Sequence, residues 1–331
     1  MENFYQGKKI FVTGAGGFIC SHLVEALALA GANVTALVHY NALGSIGNLQ
    51  YLAPEVLAKI KIEQGDITDS FQMQKLTQGC DVVFHLAALI GIPYSYIAPS
   101  AYVSANISGT LNMLEAARTN KVPKLVITST SETYGTAIYA PIDEKHPMQG
   151  QSPYSATKIG ADKLGESYFL SFGLPVCIVR PFNTFGPRQS LRAVIPTAVS
   201  QALFNDHIKL GSLDPVRDML FVKDTARGFM MAAASDATNG EVVNLGTGVG
   251  YTIGEIVNMI QEITGTNKEV MEDSQRIRPA NSEVFKLICD YSKAERLFGW
   301  KPQYTIQQGL AQVVDWMKKS GSTRSGQTYT V

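Results

Sequence analysis

The sequence predicts an α/β protein, a doubly wound parallel sheet followed by a smaller α/β lobe. Three observations carry that reading. Short apolar runs alternate with helical patterns through the first half of the chain, the signature of βαβ units. A glycine-rich turn, TGAGGFI at 13–19, follows the first run and opens the first helix. After Arg180 the alternation breaks at Pro181, Pro187 and Pro196, and the elements become shorter and less regular.

Taken in order, Lys9–Val12 reads as a buried strand and His22–Ala30 as the helix after the glycines. Val34–Val38, Lys61–Gln64, Val82–Leu86, Lys124–Thr128 and Val176–Arg180 follow as further strands. The helical patterns Ser100–Arg118 and Tyr154–Phe172 fall between them. Strands joined by helices of this length pair in parallel, with both faces of the sheet covered. Beyond 181, Glu241–Leu245 reads as one more strand, and Thr252–Thr264, Ser292–Phe298 and Ile306–Lys319 as helices. Lys268–Cys289 is charged and irregular, and the final SGSTRSGQTYTV reads as a frayed tail. The expected division is 1–180, with 222–247 returning to it, against 181–221 and 248–331. No internal repeat is visible.

Composition narrows the function. The 331 residues carry 28 basic and 28 acidic side chains, so no net basic field marks a nucleic-acid binder. No apolar run approaches the ~20 residues of a membrane span, and MENFYQGKKIFVTG has no apolar signal segment. Cys20, Cys80, Cys177 and Cys289 are scattered without a CxxC, and the five histidines are not spaced as metal ligands. A cytoplasmic protein with no metal site is the expectation.

Two constellations carry chemistry. In the glycine-rich turn, Gly14 and Gly17 permit a tight turn and a close backbone approach to a pyrophosphate, while the helix N-terminus offers N–H donors. A third glycine, expected for close packing of helix on sheet, is replaced by Cys20. The second strand ends in Val38-His39-Tyr40-Asn41, with no carboxylate for an adenosine ribose and no arginine for a 2′-phosphate. The sequence therefore leans to NAD and leaves NADP open. Asp66 and Ile67 after the third strand either bracket an adenine or form a turn cap. The second constellation is YSATK at 154–158, which puts Tyr154 and Lys158 on one helical face. An ammonium beside a phenol favours the phenolate, a base usable near neutral pH. Ser129 and Thr130 end the fifth strand nearby in the pattern.

With these pieces in place, the chain resembles the extended short-chain dehydrogenase/reductases, specifically the nucleotide-sugar epimerase/dehydratase group. The matching segments are TGAGGFI, HLAA (85–88), STSETYG (129–135), YSATK, RPFNTFGPRQ (180–189), RDMLFVKD (217–224), NLGTG (244–248) and RPANSEV (278–284). The resemblance implies a Rossmann-type cofactor domain and a C-terminal domain for a nucleoside-diphosphate sugar. It implies that Phe18, Ile19, Leu86, Ala87 and Ala88 line the cofactor with the glycines, and that Asn183, Arg192, Arg217 and Arg278 meet the substrate. Arginine suits a diphosphate through its bidentate fork. It also implies a homodimer, through a four-helix bundle of the two long helices near 100–118 and 153–172.

Within that group the loop Thr130-Ser131-Glu132 points to a 4,6-dehydratase. An epimerase needs only the Ser/Thr and the Tyr, whereas a dehydratase must also take a proton from carbon 5 and release water from carbon 6. Glu132 is the candidate base. Ser131 stands where many dehydratases carry an aspartic acid. Similar loops occur in GDP-mannose 4,6-dehydratases and in UDP-glucuronate decarboxylases, so a decarboxylase and a 4-epimerase stay as rivals, and a dinucleotide sensor as the non-enzyme alternative. RPFNTFGPRQSLRAVIP looks most like dehydratases of bacterial amino-sugar pathways such as the legionaminic acid route, which favours UDP- or GDP-N-acetylglucosamine.

Overall fold

The computed structural model describes residues 2–273 and 284–320. In chain order its strands are β1 Lys9–Thr13, β2 Asn33–His39, β3 Lys61–Gly65, β4 Val82–His85, β5 Leu125–Thr128, β6 Val176–Pro181, β7 Asn183–Phe185, β8 Ile208–Leu210, β9 Val216–Phe221, β10 Val242–Leu245, β11 Gly250–Thr252, β12 Val270–Glu272 and β13 Lys286–Leu287. Seven of them form one sheet in the order β10-β6-β5-β4-β1-β2-β3, with every neighbouring pair parallel. Parallel strands need cover on both sides. Phe11, Val83, Phe84, Val126, Ile127 and Val179 are accordingly fully buried.

Each face has its own core. On one, Leu23, Val24 and Leu27 of the Phe18–Leu29 helix pack with Phe229 and Met230 of the Val222–Ala233 helix and with Trp300. On the other, Met113, Leu114 and Tyr168 pack against Phe11, Val83 and Ile127. A third cluster lies beyond the sheet's carboxyl edge, where Ile195, Val199, Ile256, Ile260, Leu310 and Val313 surround Phe221. Full burial of each such side chain contributes roughly 1.5–3 kcal/mol. The chain that leaves the main sheet at β6 thus returns to it through the Val222–Ala233 helix and β10, which pairs with β6.

Two helices differ from the sequence reading. The first begins at Phe18 rather than His22, because Gly17 sits extended at its N-cap and Phe18 and Ile19 pack against the third cluster. Phe18 and Ile19 therefore open the helix that bridges two cores. The pattern expected over Ser100–Arg118 is interrupted: Pro99–Tyr102 and Gly109–Thr119 are α-helical, and Val103–Ser108 between them is π-helical. Such bulges concentrate at functional sites. Here Asn106 is drawn out of register by bonds to both the N–H and the C=O of Leu89, at 2.8 and 3.0 Å. The helices Ser70–Leu76 and Val194–Phe204 carry no distinct periodic signal in the sequence, the first because it is short and the second because apolar residues run almost all round it.

Candidate active site

The strand order reverses direction between β1 and β4, and in open parallel sheets ligands bind at that switch point, beyond the strands' carboxyl ends. The glycine turn stands there. Gly14 has φ +73, and a Cβ on it would lie 2.8 Å from Cα and N of Ala87, in the loop after β4. The two loops are stitched by Thr13, whose hydroxyl accepts from the Ala87 N–H at 3.1 Å and lies 2.9 Å from Nδ1 of His85. Leu86 is buried, and Ala87 and Ala88 are partly exposed beside the turn. The Phe18–Leu29 helix has neither a side-chain cap nor an acidic residue in its first turn. Its N–H groups and positive end are thus free to meet a diphosphate, which fits a dinucleotide.

Three expectations at the cofactor end are sharpened. Cys20 is buried, and its thiol, pushed up to about 12 by burial, points to the Thr13 carbonyl at 3.7 Å. It packs helix on sheet in place of the third glycine and is not nucleophilic. Asp66 Oδ1 accepts from the Thr68 N–H and hydroxyl, both at 2.8 Å, which is the turn-cap arrangement. Its Oδ2 lies 3.4 Å from His39 Nε2, so the carboxylate missing from the end of β2 is present beside it, from β3. Ile67 is buried beneath Gly109, where a Cβ would come within 2.5 Å of Ile67 Cδ1.

The reactive groups gather at the end of β5. Thr130 caps the short turn Ser131–Tyr134, its hydroxyl accepting from the Glu132 N–H at 3.2 Å. The same hydroxyl is hydrogen-bonded to the Tyr154 phenol, and the Glu132 carboxylate is close enough to act on that phenol electrostatically. Ser131 is buried. Tyr154 and Lys158 come from the Pro153–Phe172 helix, whose start is fixed by Pro153 and by a reciprocal Ser152–Ser155 capping box. Tyr154 is held edge-on by Tyr102, with ring centroids 6.4 Å apart. Burial pushes its phenol well above the ordinary value, the Thr130 bond opposes that, and Glu132 adds to it. Lys158, one turn further along the same helical face, donates from Nζ to the Thr128 carbonyl at 2.6 Å, and burial pulls it down to about 8.

The arginines expected to meet a substrate are less uniform. Arg217 is buried on β9, with Nη1 donating to the Val216 carbonyl at 3.1 Å. Arg192 is exposed, within electrostatic reach of Tyr102. Asn183 opens β7, and its amide nitrogen is buried without a hydrogen-bond partner. A buried orphan donor calls for an acceptor. Arg278 lies outside the described residues. Among the described residues no group of three or more His, Cys, Asp or Glu side chains could hold a metal ion.

Three side chains escaped the sequence reading. Asn106 braces Leu89 and Thr157, and Asp162 and Arg180 form a fully buried ion pair at 2.9 Å behind Ser129. Asp162 falls one turn after Lys158, a spacing that was available in the sequence.

A dinucleotide crevice with a Thr–Tyr–Lys arrangement at its floor defines the extended short-chain dehydrogenase/reductases, enzymes that work through NAD. Within them the chain belongs to the GDP-mannose 4,6-dehydratase family, whose model matches residues 11–313. A dTDP-glucose 4,6-dehydratase from Actinoplanes sp. is 32% identical over 321 residues, covering 95% of this chain and 99% of that protein. A putative UDP-glucose 4-epimerase from Methanocaldococcus jannaschii is also 32% identical, covering 95% of this chain and 100% of that protein. The solved structure of DesIV, a dTDP-glucose 4,6-dehydratase from Streptomyces venezuelae with NAD bound, aligns with a TM-score of 0.83 at 29% identity, covering 94% of this chain and 97% of that one. The chain is thus an enzyme of the nucleotide-sugar dehydratase and epimerase group.

Proposed function

We propose that the protein is a nucleotide-sugar 4,6-dehydratase that converts UDP- or GDP-N-acetylglucosamine to the 4-keto-6-deoxy sugar nucleotide. The observation that carries the dehydratase reading is the Glu132 carboxylate, which lies within electrostatic reach of the phenol that Thr130 bonds. An epimerase has no step for it. The amino-sugar reading rests on the RPFNTFGPRQSLRAVIP segment, and the dTDP-glucose dehydratases and UDP-sugar epimerases among the relatives set its rivals.

NAD, when bound, supplies reversible hydride transfer. Gly14, Gly17, Phe18 and Ile19 with Leu86, Ala87 and Ala88 would hold it, Asp66 and Ile67 would take its adenosine end, and Lys158 would hold the nicotinamide ribose. Tyr154 takes the proton of the sugar's 4-hydroxyl while Thr130 bonds the same oxygen. The 4-ketone acidifies the hydrogen on carbon 5. Glu132 removes that proton, and water leaves carbon 6, with Ser131 beside the departing oxygen. The hydrogen and two electrons taken from carbon 4 return at carbon 6, the proton held by Tyr154 balances the one needed at carbon 5, and the proton Glu132 removed leaves with the hydroxyl, so the net change is loss of water. Asn183, Arg192, Arg217 and Arg278 take the nucleotide diphosphate.

The division of labour follows the chain: 1–180 with 222–247 for NAD, and 181–221 with 248–331 for the sugar nucleotide. The helical stretch 99–119, with its π-helical interruption, and the helix Pro153–Phe172 leave Val103, Leu111, Leu170 and Phe172 exposed, which supports a homodimer through a four-helix bundle. No described helix is long and apolar enough to cross a membrane. All four cysteines are unpaired thiols, which suits the reducing cytoplasm.

The test is Glu132→Gln. Water loss should fall by about 100-fold or more while oxidation at carbon 4 stays detectable. Unchanged turnover sinks the assignment of the base.

A further inference from the structure

Behind the reactive groups lies a buried charge that the mechanism does not use. Asp162 and Arg180 are both fully buried, on the Pro153–Phe172 helix and on β6. A single carboxylate oxygen, Oδ2, takes three bonds: from Ser129 Oγ at 2.7 Å, from Arg180 Nε at 3.0 Å and from Arg180 Nη2 at 2.9 Å. Asp162 Oδ1 is buried with no hydrogen-bond partner. A buried ion pair made only for stability is a poor investment of desolvation, since apolar side chains of similar volume often serve as well.

The surroundings tie the pair to the reaction. Ser129, held by Asp162, directly precedes Thr130, which bonds Tyr154. Lys158 stands one helical turn before Asp162, on the same face. Arg180 faces elsewhere: Nη1 donates to the Tyr134 hydroxyl at 2.9 Å, and the guanidinium stacks over that ring at 5.0 Å. The carboxylate is therefore the member of the pair that acts on Lys158 and Tyr154.

We propose that Asp162 is a positioning residue of the reaction, seating the Ser129–Thr130 segment after β5 through its bond to Ser129 and placing a carboxylate one helical turn from Lys158. The proposal rests on the assignment of Lys158 as the group that holds the nicotinamide ribose. The other groups around the pair are few. Lys158 is faced by His85 from β4, which burial lowers to about 3, so it is neutral. Tyr154 is faced by Thr130 and Glu132 from the loop and by Tyr102 from the neighbouring helix. None of these changes when Asp162 is replaced. Burial alone pulls Lys158 down, and Asp162 is the charge that opposes it, leaving the ammonium at about 8. Without that charge the ammonium would be lost at lower pH.

The experiment titrates NAD into the protein from about pH 6 to about pH 10 and follows the dissociation constant, with no sugar nucleotide present. The wild type should lose affinity through a break near the Lys158 value of about 8. Asp162→Asn should move that break down by about one pH unit or more, as expected for a unit charge one helical turn away. Asp162→Glu should restore it, Ser129→Ala should leave it in place, and Lys158→Met should abolish it. If Asp162→Asn is not recovered folded, Asp162→Asn with Arg180→Met removes the orphaned cation and is read in the same way. A break at the wild-type pH in the variant lacking the carboxylate, whatever its melting temperature, overturns the proposal. Absence of water loss from every sugar nucleotide would refute the dehydratase reading and leave this result standing.

Discussion

Replacing Gly14 by alanine probes the crevice more sharply than any change of charge. The residue sits at φ +73, where an L side chain costs roughly 1–2 kcal/mol. The added Cβ would also meet Cα and N of Ala87 at 2.8 Å. That backbone cannot drift away freely, because the Ala87 N–H is bonded to the Thr13 hydroxyl at 3.1 Å. Overpacking against fixed atoms adds about 1–3 kcal/mol. The sum is about 2–5 kcal/mol, and the displaced atoms belong to the two loops assigned to NAD. If the whole cost falls on binding, the NAD dissociation constant rises between about 30-fold and several thousand-fold. Trp300 and Trp316 offer a fluorescence signal for the titration, and thermal melts with and without NAD report how the cost divides. Gly173→Ala is the control. It has φ +65 at the C-terminus of the Pro153–Phe172 helix and nothing within 4 Å, so it should lower stability yet leave NAD affinity unchanged. A Gly14→Ala protein that binds NAD like the wild type would refute the placement of the cofactor between these loops.

Further outcomes are expected elsewhere. Tyr154→Phe should fold normally and lose about 100- to 10,000-fold in turnover, measured as product formed at saturating substrate; a loss under tenfold would remove it from the chemistry. Lys158 titrates at about 8 instead of its ordinary 10.5, so its ammonium is carried at pH 7 at a cost of roughly 3 kcal/mol. Because its folded value lies below its unfolded one, its contribution to stability should rise from pH 8 toward 10.5, a slope that Lys158→Met should lack in calorimetric melts. At pH 7 that variant should melt at or above the wild type while failing to turn over; a melt well below it would contradict the burial argument. Cys20 and Cys177 are buried with thiols pushed up to about 12 and about 11, so in the native protein they should resist alkylation that labels all four cysteines after denaturation.

The sheet was legible because its strands are buried on both faces and read as short unbroken apolar runs, from Lys9–Val12 to Val176–Arg180. The glycine turn and YSATK were legible because each needs particular residue types at fixed spacing. What escaped was long-range. Asp162 pairs with Arg180 and Ser129 across the fold, and no local pattern shows that an aspartate one turn past a lysine is buried. The π-helical Val103–Ser108 follows from Asn106 reaching Leu89, a contact between distant segments that helical periodicity cannot register. The first helix starts a turn before its amphipathic pattern does, because Phe18 and Ile19 pack against the cluster around Phe221. The arginines expected to meet a substrate follow from the resemblance, and only the fold shows that Arg217 is buried while Arg192 is exposed.

The central claim is water loss from a sugar nucleotide. The direct measurement is to incubate the NAD-loaded protein with UDP-, GDP-, CDP- and dTDP-sugars, including the N-acetylglucosamine and glucuronate forms, and to follow product mass. A product lighter by one water, formed from UDP- or GDP-N-acetylglucosamine and lost in Glu132→Gln, is the predicted result. Consumption of UDP-glucuronate alone with release of carbon dioxide, or an isomer of unchanged mass, would contradict it.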